Sequence, residues 1–130
     1  REVWGAITYK KPGVFIAGGA GITPFIAIFR YLHKNNLLEG NQLLYSNKTT
    51  KDIILKDEFE KMLGVNFINT LTREKTDIYE NRRIDKTFLM EKIADFNKPF
   101  YVCGPDLFVN EIQNTLTELG ADSESVIIEK

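Results

Sequence analysis

The stretch Val14-Phe15-Ile16-Ala17-Gly18-Gly19-Ala20-Gly21-Ile22-Thr23-Pro24 constrains the fold more than any other part of the chain. Its apolar beginning has no polar alternation, as expected of a strand buried on both faces. Three glycines then allow a turn that side chains would block. Thr23 is a natural N-cap and Pro24 suits the first position of a helix, so a helix should follow at once. Strand, glycine turn and helix start in that order make a cradle for an anion. The first helical turn leaves amide groups unpaired and carries about half a positive charge. A nucleotide diphosphate is the usual occupant of such a cradle.

The rest of the chain repeats the alternation of strand and helix. The first strand is expected over Val14 to Ala17 and its helix from Pro24 to about Asn35, with Phe25, Ile28, Phe29 and Leu32 as the apolar stripe. A second strand covers Gln42 to Ser46, followed by a polar loop from Asn47 to Asp52 and a helix from Lys56 to Leu63 ended by Gly64. A third strand is expected over Val65 to Leu71. An irregular basic stretch then runs through Arg82 and Arg83, and Asp85 caps a helix from Lys86 to about Ala94. Phe100 to Cys103 forms a fourth strand, Pro105 to Leu119 a fourth helix with Gly120 just past its end, and Val126 to Glu129 a fifth strand. This pattern predicts an α/β fold: a doubly wound, five-stranded parallel sheet in the order 3-2-1-4-5, with helices on both faces.

Composition narrows the function. At 130 residues the chain is one domain with a single core. A net charge of −1 supplies no field for nucleic acid or anionic lipid. The single cysteine, Cys103, excludes a disulfide framework and a cysteine-based zinc site, and no metal site is expected. The single histidine, His33, excludes chemistry that needs two imidazoles and suits a helix C-terminus. No run approaches the roughly 18 apolar residues of a membrane-spanning helix. A reducing, cytoplasmic home is expected.

The glycine turn reads Gly19-x-Gly21-x-x-Pro24, which lacks the third glycine of the dinucleotide fingerprint and the Gly-Lys-Ser/Thr of a P-loop. A second turn, Cys103-Gly104-Pro105, leaves the fourth strand and opens the fourth helix. In the predicted order the first and fourth strands are neighbours, so both turns flank the crevice at the switch point of the sheet. Cys103 has no base beside it in the sequence, so thiol catalysis is not expected.

Gly18-Gly19-Ala20-Gly21-Ile22-Thr23-Pro24, Tyr45-Ser46-Asn47-Lys48-Thr49, Thr72-Arg73-Glu74 and Tyr101-Val102-Cys103-Gly104-Pro105 occur in the order and spacing of the ferredoxin reductase superfamily. Over about residues 13 to 130 the chain resembles that superfamily's C-terminal pyridine-nucleotide-binding domain. The resemblance implies that backbone from Gly19 to Ile22 holds the NAD(P) diphosphate, at the turn that Gly18 opens and Pro24 closes. It places Thr23 beside nicotinamide and flavin, and Cys103, Gly104 and Pro105 at the border of the nicotinamide, where hydride transfer occurs. Ser46, Lys48, Thr72 and Arg73 would surround the adenosine ribose. Arg73 with Lys48, and Arg82 and Arg83 in reserve, would suit the 2′-phosphate of NADPH, while NADH remains open.

The same resemblance implies FAD or FMN held by a β-barrel domain absent from this chain, and an electron-acceptor protein such as ferredoxin or flavodoxin. Residues 1–12 would be the last barrel strand and a linker, with Trp4 and Phe108 as surfaces for the partner domain. Such a chain would bind nucleotide alone without turning over. The usual Gly-Arg-Ile of the superfamily is replaced by Arg82-Arg83-Ile84, and no aromatic residue closes the sequence. A module that senses NAD(P) or another adenylate for a partner protein, without redox chemistry, is the alternative.

Overall fold

The computed structural model describes residues 7–129. β1 (Val14–Gly18) is buried along its whole length, and the alternation of its side chains decides where the layers lie. Phe15 and Ala17 face one core cluster, whereas Val14 and Ile16 face another. The chain continues through α1 (Thr23–Lys34), β2 (Gln42–Asn47), α2 (Lys56–Leu63) and β3 (Phe67–Leu71). It then forms α3 (Lys86–Lys92), β4 (Phe100–Cys103), α4 (Asp106–Glu118) and β5 (Val126–Glu129). All strand pairs are parallel and the order is β3-β2-β1-β4-β5, as the sequence predicts.

The helices divide between the two faces. Phe25, Ile28, Phe29 and Leu32 of α1 join Phe59 and Leu63 of α2 over Phe15, Leu43 and Tyr101. Phe15 is the hub of that layer, with its ring 4.6 Å from Phe29 and 4.5 Å from Tyr101. On the opposite face Phe88 and Leu89 of α3, with Val109, Ile112 and Leu116 of α4, cover Ile16, Leu44 and Val102. The crossover from α1 and α2 on one side to α3 and α4 on the other places the switch point between β1 and β4.

The irregular basic stretch has a structural task. The backbone N–H of Leu71 donates to the Glu80 carbonyl at 2.8 Å, and the Asn81 side-chain amide donates to the Leu71 carbonyl at 2.8 Å. Residues 80–82 thereby cover the outer edge of β3, which would otherwise present unpaired backbone.

Several element boundaries differ from the sequence expectation. Thr23 is not the N-cap of α1. A 3-10 turn, Gly19–Ile22, runs straight into the helix, so Ile22 occupies the cap position with helical backbone. The Thr23 hydroxyl instead donates to the Ala20 carbonyl at 2.8 Å. β3 begins at Phe67 because Gly64, at φ +55°, opens another 3-10 turn that leaves Val65 91% exposed. β2 runs on to Asn47, and the polar loop contains a 3-10 turn, Thr50–Asp52, closed by a reciprocal Thr49–Asp52 capping box. α3 stops at Lys92 because Ile93 turns extended and enters the core. The expected barrel strand, including Trp4, lies mostly outside the described residues.

Asp85 caps α3 as expected, its carboxylate accepting from the Phe88 N–H at 2.9 Å. Asp85→Ala should lower stability by about 1 kcal/mol, the worth of a lost N-cap, read from the midpoint of chemical denaturation. An unchanged midpoint would show that the cap is idle.

Candidate functional site: a groove across the switch point

β1 and β4 pair so that Ala17 lies opposite Cys103, and both following turns leave the same end of the sheet. The turns touch through their backbones. A Cβ at Gly21 would lie 2.4 Å from the Cys103 carbonyl oxygen and 2.7 Å from the Gly104 Cα, so no side chain fits at position 21. Gly21 therefore performs the close packing for which the dinucleotide fingerprint uses its third glycine. Gly19 differs: it adopts φ +54° with open space where a Cβ would stand. Gly18 and Gly104 lie under the Phe108 ring, which a Cβ would approach to 3.1 and 2.8 Å respectively.

The glycine turn separates two clefts that share Gly18, Gly19, Ala20 and Pro105. One cleft, of about 640 Å³, continues along Gly21, Thr23 and Pro24 to Cys103 and Gly104. The other, of about 630 Å³, reaches Ser46, Lys48 and Thr72 at the ends of β2 and β3. Together they form one groove across the carboxyl ends of the central strands, of a size that suits a dinucleotide.

Most of the residues expected from the sequence line this groove. Ile22 does not: its side chain is fully buried in the core under α1. Arg73 stands at the rim, one residue beyond the lining. Its N–H donates to the Lys48 carbonyl at 2.9 Å and the Thr72 N–H to the Asn47 carbonyl at 2.9 Å, so backbone pairing sets Arg73 beside Lys48. Arg82 and Arg83 are engaged elsewhere, Arg82 with Glu80 and Glu91 and Arg83 with Glu111. By contrast, Lys48, Lys51 and Arg73 form no ion pair among the described residues. The nearby carboxylates are turned onto backbone. Glu74 accepts from the Thr50 N–H and hydroxyl at 2.7 Å, which holds its pKa below the usual carboxylate range, and Asp52 accepts from Thr49 at 3.0 Å.

Burial pushes the Cys103 thiol up to about 11, the Glu129 carboxylate adds to the rise, and the Gly104 N–H opposes it. Cys103 is a neutral thiol at ordinary pH, and among the described residues no cluster suits a metal ion. Glu129 was missed by sequence reasoning. It pairs in register with Cys103 and lines the same cleft, with one carboxylate oxygen buried and without a partner. The predicted strand order held that signal, since β5 beside β4 carries its last residue to the groove. Asn47, Lys51, Asp52 and Ile54 were also missed as lining residues. Phe108 is turned onto the two glycines and walls the cleft at Ser46.

Fold and groove define a dinucleotide-binding domain built on a doubly wound sheet. The chain belongs to the oxidoreductase NAD-binding domain family, whose sequence model matches residues 15–114, and so to the ferredoxin reductase-like superfamily. It is 26% identical over 126 residues to the flavohemoprotein of Bacillus subtilis (strain 168), covering 90% of this chain and 32% of that protein. It is 34% identical over 106 residues to NADH-cytochrome b5 reductase 2-A of Vanderwaltozyma polyspora, covering 73% of this chain and 35% of that one. Among solved structures, the flavohem-like FAD/NAD binding domain of nitric oxide dioxygenase from Vibrio cholerae superposes with a TM-score of 0.84 at 25% identity, covering 99% of this chain and 54% of that one. The chain thus spans about a third of the length of these curated relatives. Among the described residues no helix is long and apolar enough to cross a membrane.

The raised thiol pKa has a measurable consequence. Cys103 should react with iodoacetamide far more slowly than a free cysteine at about pH 8. The folded chain keeps the thiol proton up to about 11, whereas the ordinary value is 9.0, so stability should fall as pH rises through that interval. Cys103→Ser should remove that part of the slope in denaturation measured against pH. Fast alkylation of the folded chain would contradict the burial argument.

Proposed function

We propose that this chain is the NAD(P)H-binding half of a flavin-dependent oxidoreductase, with FAD or FMN held by a separate barrel domain. The observation that carries the reading is the two-part groove that meets on the glycine turn. The diphosphate lies on the backbone of Gly19 to Ile22, at the N-terminus of α1, where the helix field favours negative charge. Ser46, Lys48 and Thr72 take the adenosine ribose, and Arg73 stands at the rim above it. The dihydronicotinamide lies along Thr23, Cys103, Gly104 and Pro105.

The chain's own contribution is positioning and electrostatics. Small residues at 18–21 let the ligand approach backbone, and the neutral Cys103 thiol borders the ring without competing as a nucleophile. Thr23, tied to the Ala20 carbonyl, has a fixed hydroxyl at the mouth of the nicotinamide cleft. A flavin held by that separate domain would supply hydride acceptance and one-electron transfer, while Thr23, Cys103, Gly104 and Pro105 of this chain would hold the dihydronicotinamide toward it. The onward acceptor is a one-electron carrier such as ferredoxin, flavodoxin or a haem protein. The names of the relatives, a flavohemoprotein and an NADH-cytochrome b5 reductase, fit the haem choice. A cytoplasmic home fits a chain whose lone cysteine is a buried free thiol. The competing reading, a sensor of NAD(P) without redox work, predicts the same groove. Electron flow from NADPH to a dye after mixing with the flavin module favours the enzyme, and its absence favours the sensor.

NADPH is slightly favoured over NADH, because Lys48, Lys51 and Arg73 at the adenosine end form no ion pair among the described residues. Arg73→Ala should weaken NADPH by roughly 1–3 kcal/mol, the scale of a lost charged hydrogen bond, and leave NADH nearly unchanged in calorimetry. Equal weakening of both would remove the 2′-phosphate role. Gly21→Val should abolish binding of either nucleotide by forcing the two turns apart. Unchanged affinity in that variant would contradict the shared grip.

A further inference from the structure

We infer that the Tyr45 hydroxyl is a strut between the two walls of the groove, positioning the glycine turn against the Ile54 wall so that one spanning ligand meets both. The inference rests on the nucleotide-binding reading above.

Tyr45 lies in the middle of β2 with its side chain fully buried, and its ring packs in the core at 6.5 Å from Phe67. The hydroxyl lies buried beneath the site, where it donates to the Gly19 carbonyl at 3.2 Å and accepts from the Ile54 N–H at 3.4 Å. These two partners belong to different loops. Gly19 follows β1 and holds a left-handed backbone at φ +54°. Ile54 follows β2, lines the adenosine cleft, and is succeeded by Leu55 in another left-handed conformation at φ 53°. Two turns with left-handed backbone, one on each side of the groove, are thus tied to a single buried oxygen.

Burial raises the pKa of the hydroxyl, against the Ile54 N–H and the Asn47 amide, so it keeps its proton and can donate to Gly19. Neither bond is needed to complete the sheet, whose ladders are made by backbone alone. What the pair of bonds does fix is the spacing between the seat of the diphosphate and the wall beside the adenosine. A ligand that spans both gains from that spacing being set before it arrives. A ligand that touches the adenosine wall alone gains little. Tyr45 is therefore a positioning residue that touches no ligand itself.

The experiment compares Tyr45→Phe with the unaltered chain by calorimetry, with NADPH as the spanning probe and adenosine as the one-sided probe. The ring packing survives the change, so the fold should persist by circular dichroism. The expected result is a rise of about tenfold in the NADPH dissociation constant, with adenosine changed by less than about twofold. Equal loss for both probes would reduce Tyr45 to a structural residue, and no loss for either would overturn the strut. Should the variant fail to fold, amide exchange on the unaltered chain decides. Without ligand the Ile54 amide, which donates to the Tyr45 hydroxyl, should be protected from exchange, and exchange at the rate of an unstructured amide overturns the inference. Failure of the unaltered chain to bind NADPH would overturn the nucleotide-binding reading and the strut with it. Normal NADPH binding with an unmoved Tyr45→Phe would overturn the strut alone.

Discussion

The contact between Gly21 and the Cys103–Gly104 backbone is the constraint on which the site depends. At 2.4 Å from a notional Cβ to the Cys103 carbonyl, the two turns stand as close as backbone allows. That closeness follows from the pairing of β1 with β4 and from α1 and α4 leaving to opposite faces. A larger residue at position 21 would part the turns and open the floor of the groove. The glycine there serves packing, while the left-handed Gly19 serves the shape of the turn, and the two roles are not interchangeable.

Charge is distributed with the same economy of position. Elsewhere several cations are matched to carboxylates: Arg30 with Glu58, Arg83 with Glu111, Lys86 with Glu118. Around the adenosine end of the groove the acids are instead satisfied by backbone and hydroxyl donors of the Thr49–Thr50 turn. The result is a rim where Lys48, Lys51 and Arg73 form no ion pair among the described residues. Exposed pairs elsewhere contribute little to stability, but unpaired cations at a binding rim act on any anion that enters.

The architecture was legible in the sequence because each strand is a short apolar run and each helix carries a periodic stripe, such as Phe25, Ile28, Phe29 and Leu32. The two turns were legible because glycine and proline mark backbone that ordinary residues cannot follow. Where sequence reasoning fell short, the cause was tertiary. Thr23 looks like a cap, yet a 3-10 turn ahead of it removes the extended backbone that a cap requires. Glu129, Ile54 and Phe108 reach the groove through register and loop path, and no local pattern marks them. Arg82 and Arg83 look like phosphate ligands until the covering of the β3 edge sets them among glutamates.

If the turns after β1 and β4 jointly hold a dinucleotide, backbone amide chemical shifts followed during titration with NADPH should report both turns. Large, saturable shifts are expected at Gly18–Thr23, Ser46–Lys48, Thr72, Cys103 and Gly104, with little change at Gly40, Asp95 and Lys98 at the other end of the sheet. Shifts centred on that far end, or restricted to only one of the two turns, would contradict that joint hold.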